Sequence, residues 1–110
     1  MSKVKAEITI NNHKIKNIGI LNNETLKVKT KEELITFNYK TLILTKENNE
    51  LKITLDFKNK KVFYEINQKN IKFHNNFTIL SLTNDNKQVI ISYQIEETTF
   101  TLSINIETIN

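Results

Sequence analysis

The stretch Leu51-Lys52-Ile53-Thr54-Leu55-Asp56-Phe57 indicates the fold class of this chain most clearly. Apolar residues occupy every second position of the stretch, and polar residues fill the positions between them. Successive side chains of a β-strand point to opposite faces, so this spacing predicts a strand with one face on a core and the other in water. Polar, Asn-containing segments bound it on both sides, at 47–50 and 58–60, and such segments are typical of turns.

The same two-residue alternation recurs along the whole chain, between further turn segments. The segments that show it are Val4–Ile10, Lys14–Ile20, Leu26–Thr30, Leu34–Tyr39, Leu42–Leu44, Val62–Ile66, Ile71–Phe73, Phe77–Leu82, Val89–Ile95 and Phe100–Ile106. We therefore predict an all-β fold, a small antiparallel β-barrel of about eight to ten short strands, with a two-sheet β-sandwich as the alternative. The length of 110 residues fits a single domain over residues 1–110.

Two places depart from the regular pattern. Around Gly19, the only glycine, Ile15 falls on one face of the strand and Ile18 and Ile20 on the other, which predicts a bulge or a sharp bend. The segment His74-Asn75-Asn76 predicts a turn between two short strands.

The composition is rich in Asn, Ile and Lys, as expected of a protein from an AT-rich genome. Because the chain has one Gly and no Pro, we expect Asn to occupy the left-handed turn positions. The absence of Cys excludes disulfides, thiolate metal sites and a thiol nucleophile. No signal sequence and no apolar run long enough to span a bilayer is visible, so we expect a cytoplasmic protein.

The residues suited to catalysis or metal binding are few and scattered. His13 and His74 fall in Asn-rich turns and are expected to be solvated, and nothing in the spacing brings them together with an acid such as Asp85. The acid pairs Glu32-Glu33 and Glu96-Glu97 are adjacent, so on a strand the two side chains would point apart. We therefore predict that the protein is not an enzyme, and we assign no catalytic, cofactor-binding or metal-binding residue.

Charge is distributed unevenly along the chain. Residues 1–31 hold seven Lys against two acids, a balance of +5, whereas the remainder has a balance of −1. If the first three strands are neighbours, their outward Lys form one basic patch that could contact RNA, DNA, an anionic lipid surface or an acidic protein. Alternatively, these Lys only solvate the sheet and protect its edges. The patch would consist of Lys3, Lys5, Lys14, Lys16, Lys27, Lys29 and Lys31.

The last two predicted strands carry a resemblance to a known family. Ile90-Ile91-Ser92-Tyr93-Gln94-Ile95, followed by Phe100-Thr101-Leu102-Ser103-Ile104-Asn105-Ile106, resembles the C-terminal hairpin of small bacterial calycin-like β-barrel proteins of unknown function, relatives in shape of the lipocalins. Upstream, Leu51–Phe57 and the hairpin into Val62–Tyr64 resemble the middle strands of that family. The likeness covers about half of the chain. It implies a closed barrel with a ligand-sized interior and assigns no functional residues.

Three hypotheses of function are compatible with these observations. The first is a binding module that holds a small apolar ligand inside the barrel, although the large apolar inward residues equally favour a packed interior. The second is an interaction domain that docks RNA or an acidic protein through the Lys-rich face. The third is a structural subunit of an assembly, since exposed strand edges pair between chains. The chain is expected to be a monomer or a homodimer.

Overall fold

The computed structural model describes residues 1–66, 71–85 and 87–109, and for 71–74 it describes the backbone only. Within these residues the chain forms strands and turns without a helix, which confirms the all-β prediction and raises the number of strands to eleven. The strands are β1 (Ser2–Ile10), β2 (His13–Asn22), β3 (Thr25–Lys29), β4 (Leu34–Asn38), β5 (Ile43–Glu47), β6 (Leu51–Asp56), β7 (Lys61–Ile66), β8 (Ile71–Asn76), β9 (Thr78–Asn84), β10 (Gln88–Ile95) and β11 (Thr98–Thr108).

All of these strands belong to one antiparallel sheet that curves into a nearly closed barrel. Each strand from β1 to β7 pairs with the next in sequence, β9 pairs with β10 and β10 with β11, and β1 joins the two runs by pairing with β11. The outermost strands of the sheet are therefore β8 and β9, and Phe77 alone separates them in the chain. The barrel prediction is confirmed, and the chain itself links the two edges of the sheet.

The turn predicted at His74-Asn75-Asn76 is wrong. Strand β8 stays paired with β7 as far as Asn76, which lies opposite Lys61. The N–H of Phe77 then donates to the carbonyl of Lys60 at 2.9 Å. Because these backbone groups find partners on the neighbouring hairpin, the chain continues into β9 without reversing. The turn predicted at 67–70 lies outside the described residues.

The alternating apolar residues fill the interior of the barrel, as the sequence pattern predicts. Every strand except β8, whose side chains are described only in part, contributes at least one residue to this core or packs against it. The most deeply buried large side chains are Phe37, Phe57, Ile8, Leu26, Ile35, Leu44, Ile91, Leu102 and Ile104.

The bulge predicted near Gly19 is also wrong. The pairing of β1 with β2 runs without interruption from Ser2 opposite Leu21 to Ile10 opposite His13. Gly19 is instead needed for close packing, since a Cβ at this position would lie 3.0 Å from the Cγ2 of Val28. An irregularity in strand pairing occurs instead between β9 and β10, where the register shifts between Ser92 and Tyr93.

Strand β2 changes partners along its length, and Asn17 marks the boundary. From Gly19 onward β2 pairs with both β1 and β3, whereas before Gly19 its ladder is with β1 alone. The side chain of Asn17 accepts a hydrogen bond from the N–H of Ile18 at 2.8 Å and donates one to the carbonyl of Lys29 at 3.3 Å. The Asn17 amide thus lies between β2 and β3, at the point where the pairing of these two strands ends.

Left-handed backbone occurs at the turns, partly on Asn as expected. Asn11 and Asn23 both have φ near 56° in the hairpins that flank β2. Leu42, Lys60 and Glu96 also have positive φ, between 56° and 60°. A left-handed conformation is costly for residues other than Gly and Asn, so these three turns carry strain.

Relief of this strain at Glu96 is expected to stabilise the protein. Glu96→Gly should raise the free energy of unfolding by about 1 kcal/mol, because glycine adopts positive φ without the steric cost of a Cβ. Chemical denaturation measures the change. Glu97→Gly is the matched control: Glu97 lies in the same two-residue turn, its φ is not positive, and its replacement should bring no gain. Equal effects of the two substitutions would contradict the strain argument.

Candidate functional site

The centre of the barrel is filled by packed aromatic rings. The ring of Phe57 lies 5.6 Å from that of Phe77 and 5.3 Å from that of Tyr93, in edge-to-face arrangements. Tyr93 in turn stacks on Phe100 at 5.5 Å. Over the side chains that the structure describes, these rings fill the middle of the barrel and leave no room there for a ligand.

A recess of about 160 Å³ remains at one end of the interior, beside this aromatic cluster. We call it the end recess. Val62, Leu44 and Leu55 contribute buried apolar surface to it. Ile53 and Ile95 line it from opposite sides of the barrel, on β6 and β10. Engineered cavities of about this size, lined by Leu, Ile and Phe, bind benzene in other proteins, so the end recess has the volume for one small ring or a short branched chain.

Two tyrosines place hydroxyl-bearing side chains at the end recess. Tyr64 on β7 and Tyr93 on β10 both line it. Burial, with a smaller effect of the nearby Tyr64, raises the pKa of Tyr93 to about 12. The hydroxyl of Tyr93, like that of an ordinary tyrosine, is protonated at neutral pH and keeps a proton to donate.

The only charged side chain lining the end recess is Lys46, in the part of the chain that the structure describes. Its ammonium lies 3.5 Å from Oε2 of Glu33, and both side chains are more than half buried. Because the two charges offset each other, the end recess presents little net charge to a ligand. Glu33 is thus partly buried and paired, whereas Glu96 and Glu97 are exposed in their turn.

The seven lysines of the predicted basic patch lie on β1, β2, β3 and the residues just after β3, and all are exposed. The three strands are neighbours in the sheet, as the prediction requires. Lys14 and Lys16, however, both approach Glu7, at 3.3 Å and 3.7 Å. Lys31 lies beyond the end of β3.

The remaining four lysines surround an aliphatic pair. Lys3 on β1 lies opposite Ile20 on β2, and Ile20 lies opposite Lys27 on β3. One step along, Lys5 lies opposite Ile18, whose side chain is 47% exposed. Sequence reasoning missed this aliphatic pair because it treated the outward isoleucines of β2 as a break in the alternation. A contact between these residues and a polyanion stays a prediction.

The histidines are placed as follows. His13 is exposed at the first position of β2. His74 belongs to β8, opposite Phe63, so its assignment to a turn is wrong, and its side chain lies outside the described residues. Asp85 accepts hydrogen bonds from the N–H groups of Lys87 and Gln88. Over the residues that the structure describes, no three His, Asp or Glu side chains form a group able to hold a metal ion.

Comparison with known proteins finds no family model, no curated protein and no solved structure that matches the chain. The calycin-like resemblance therefore stays a prediction. The fold and the site define the protein only as a small antiparallel β-barrel with an apolar recess at one end. In the described part of the chain, no helix has the length and apolar character needed to cross a bilayer.

The sequence pattern places several apolar residues of the end recess on inward positions without indicating a cavity. Tyr93, Ile95 and Phe100 are among them, and alternation does not distinguish a packed inward residue from one beside a cavity. A weak signal was available, since Ile95 and Phe100 lie next to the Glu96-Glu97 turn and hence near an end of the barrel, where packing is less complete.

Proposed function

We propose that this protein is a binding module that holds one small, uncharged and mainly apolar molecule in the end recess, without catalysing a reaction. The observation that carries the proposal is the recess itself, an apolar space of about 160 Å³ beside an otherwise packed core. Ligand sites are typically concave and apolar with few polar groups, and the end recess has this character. Its volume is below the roughly 300–1,000 Å³ of sites for drug-sized ligands, so the ligand is a small one.

The polar groups of the end recess favour a neutral ligand with one hydrogen-bonding atom. Tyr93 is protonated at neutral pH, and its raised pKa of about 12 keeps it so in alkaline solution as well. Lys46 is engaged by Glu33, so an anionic ligand would have to compete with that carboxylate for the ammonium. A small phenol or cyclic alcohol has the chemistry that this arrangement suits.

We further propose that the protein works in the cytoplasm. A chain without cysteine gains nothing from an oxidising compartment, and its eleven strands are held by packing and hydrogen bonds alone.

Benzene is the simplest probe of the end recess, with benzoate as its charged counterpart. Titrating benzene into the protein should shift the amide NMR signals of residues such as Tyr64 and Ile95, whereas benzoate should bind at least about tenfold more weakly because its charge must be desolvated. Ile53→Phe should abolish the benzene shifts by filling the recess. The matched control is Ile20→Phe, the same substitution on the outer face of β2, and it should leave binding unchanged.

The proposal fails if benzene, at its solubility limit, moves no signal from the end recess. Should Ile53→Phe disturb folding, Ile95→Ala provides a second test, because enlarging the recess should let it accept a larger ring such as indole. Loss of benzene shifts in Ile20→Phe to the same extent as in Ile53→Phe would also count against a site in the recess.

A further inference from the structure

A compact array of four lysines and two isoleucines lies on the outer face of β1, β2 and β3. We call it the Lys–Ile face; its residues are Lys3, Lys5, Ile18, Ile20, Lys27 and Lys29. We propose that the Lys–Ile face docks the protein on the surface of an anionic lipid bilayer.

The strand register fixes the arrangement of the array. Lys3, Ile20 and Lys27 form one row across three neighbouring strands. Lys5 and Ile18 form the next row, and Lys29 lies at its far end, separated from Ile18 by the amide of Asn17. With strands about 4.8 Å apart, the lysines of β1 and β3 are separated by roughly 10 Å, and within each strand the two lysines are roughly 7 Å apart. The two isoleucines occupy the space between the four charges.

The charges of the Lys–Ile face are available to a partner. Across the described residues, none of its four ammonium groups forms an ion pair, whereas Lys14 and Lys16 are both engaged by Glu7. Two acids border the face at Lys5: Glu107 on β11 lies opposite it, and Glu7 lies two residues further along the outward side of β1. The four lysines therefore give the face a net positive charge, and the acids lie at one corner of it.

The two outward isoleucines, of which Ile18 is exposed and Ile20 partly buried, indicate the kind of partner. Ile18 is 47% exposed in the middle of a ring of lysines, where a polar side chain would be the usual choice for a solvated sheet. A bilayer surface complements both features, because anionic headgroups attract the lysines and the acyl boundary below them accepts aliphatic side chains. The anionic lipids of the cytoplasmic leaflet attract basic residues near the membrane surface in this way.

The same features argue against a nucleic acid as the partner. The chain has no Arg, so it cannot form the bidentate contacts with phosphates and base edges that are common in nucleic-acid recognition. The Lys–Ile face has no aromatic side chain on which a base could stack. A phosphate backbone offers no apolar surface against which the isoleucines could be buried.

Co-sedimentation with vesicles tests the proposal. The protein should bind vesicles of phosphatidylcholine mixed with phosphatidylserine at low salt, bind vesicles of pure phosphatidylcholine far more weakly, and lose affinity as salt is raised. The double variant Lys27→Gln/Lys29→Gln should bind the mixed vesicles about tenfold or more weakly. The matched control Lys58→Gln/Lys61→Gln changes the net charge equally at exposed sites around the β6–β7 turn and should keep most of the affinity.

A third variant tests the role of the isoleucines. Ile18→Ser should weaken vesicle binding severalfold while leaving any binding to heparin or poly(U) RNA unchanged. The proposal is overturned if the protein does not bind the mixed vesicles at low salt. It is also overturned if the two lysine double variants lose affinity equally, or if poly(U) binds more tightly than the vesicles and Ile18→Ser affects neither. The proposed site for a small ligand is elsewhere, so all three variants should still bind benzene, and a well-dispersed NMR spectrum confirms that each is folded.

Discussion

Replacing Phe57 by alanine is expected to lower the free energy of unfolding by about 3–5 kcal/mol, the largest effect of any single substitution considered for this protein. Phe57 is 1% exposed, just beyond the end of β6, and its N–H donates to the carbonyl of Leu42 at 3.0 Å. Its ring contacts that of Phe77, between the two edge strands β8 and β9, and that of Tyr93 on β10. Removing it leaves a cavity where the two halves of the sheet meet, and the fixed backbone around it prevents collapse into the space.

Urea or guanidinium denaturation followed by circular dichroism measures this effect. Phe57→Leu is the graded control, because leucine keeps an apolar side chain in the space and should cost about 1–2 kcal/mol. A loss below about 1 kcal/mol for Phe57→Ala would show that the aromatic cluster does not join the two halves of the barrel as described.

Replacing Gly19 by valine is expected to lower the free energy of unfolding by about 2–3 kcal/mol, because the added side chain overpacks the core. Even a single added carbon at Gly19 would lie 3.0 Å from Cγ2 of Val28, 3.1 Å from Cδ1 of Leu26 and 3.1 Å from the carbonyl oxygen of Lys27. The first two atoms belong to side chains that are 0% and 1% exposed, so they have no free space to move into. The third belongs to the backbone of a paired strand.

A double-mutant cycle separates this cause from a general effect on strand β2. If the clash with Val28 dominates, Gly19→Ala and Val28→Ala should be coupled, so that the double variant is more stable than the sum of the single effects predicts by about 0.5–1 kcal/mol. Additive effects would indicate that another contact, such as that with Lys27, sets the cost. Gly19→Val as stable as the wild type would contradict the packing argument.

The strands of this protein follow from local information, and their pairing partners largely do not. The clean alternation of Leu51–Phe57 predicts a strand, and the structure places β6 at Leu51–Asp56. The break in alternation at Gly19 was misread, because the sequence does not show that Ile18 and Ile20 face outward on a strand whose inward position is glycine. The turn predicted at His74-Asn75-Asn76 is wrong because these residues pair with β7. Asn favours a turn only where its backbone has no partner in a neighbouring strand.

The sequence predicts the lysine patch better than it predicts the end recess. The seven lysines could be assigned to outward positions from alternation alone, but the engagement of Lys14 and Lys16 by Glu7 depends on cross-strand register. The end recess could not be predicted, since it is the space left where the side chains of several strands fail to meet.

By itself, the amino-acid sequence determined the class of the fold, the approximate strand boundaries and the face on which most side chains lie. These properties depend on the two-residue period of a strand and on turn preferences, which act within a few residues. The tertiary structure alone decided that β1 pairs with β11, that the chain passes from β8 to β9 without a turn, and that a small apolar recess persists beside Tyr93. These features depend on contacts between residues far apart in the chain, for which the local alternation carries no information.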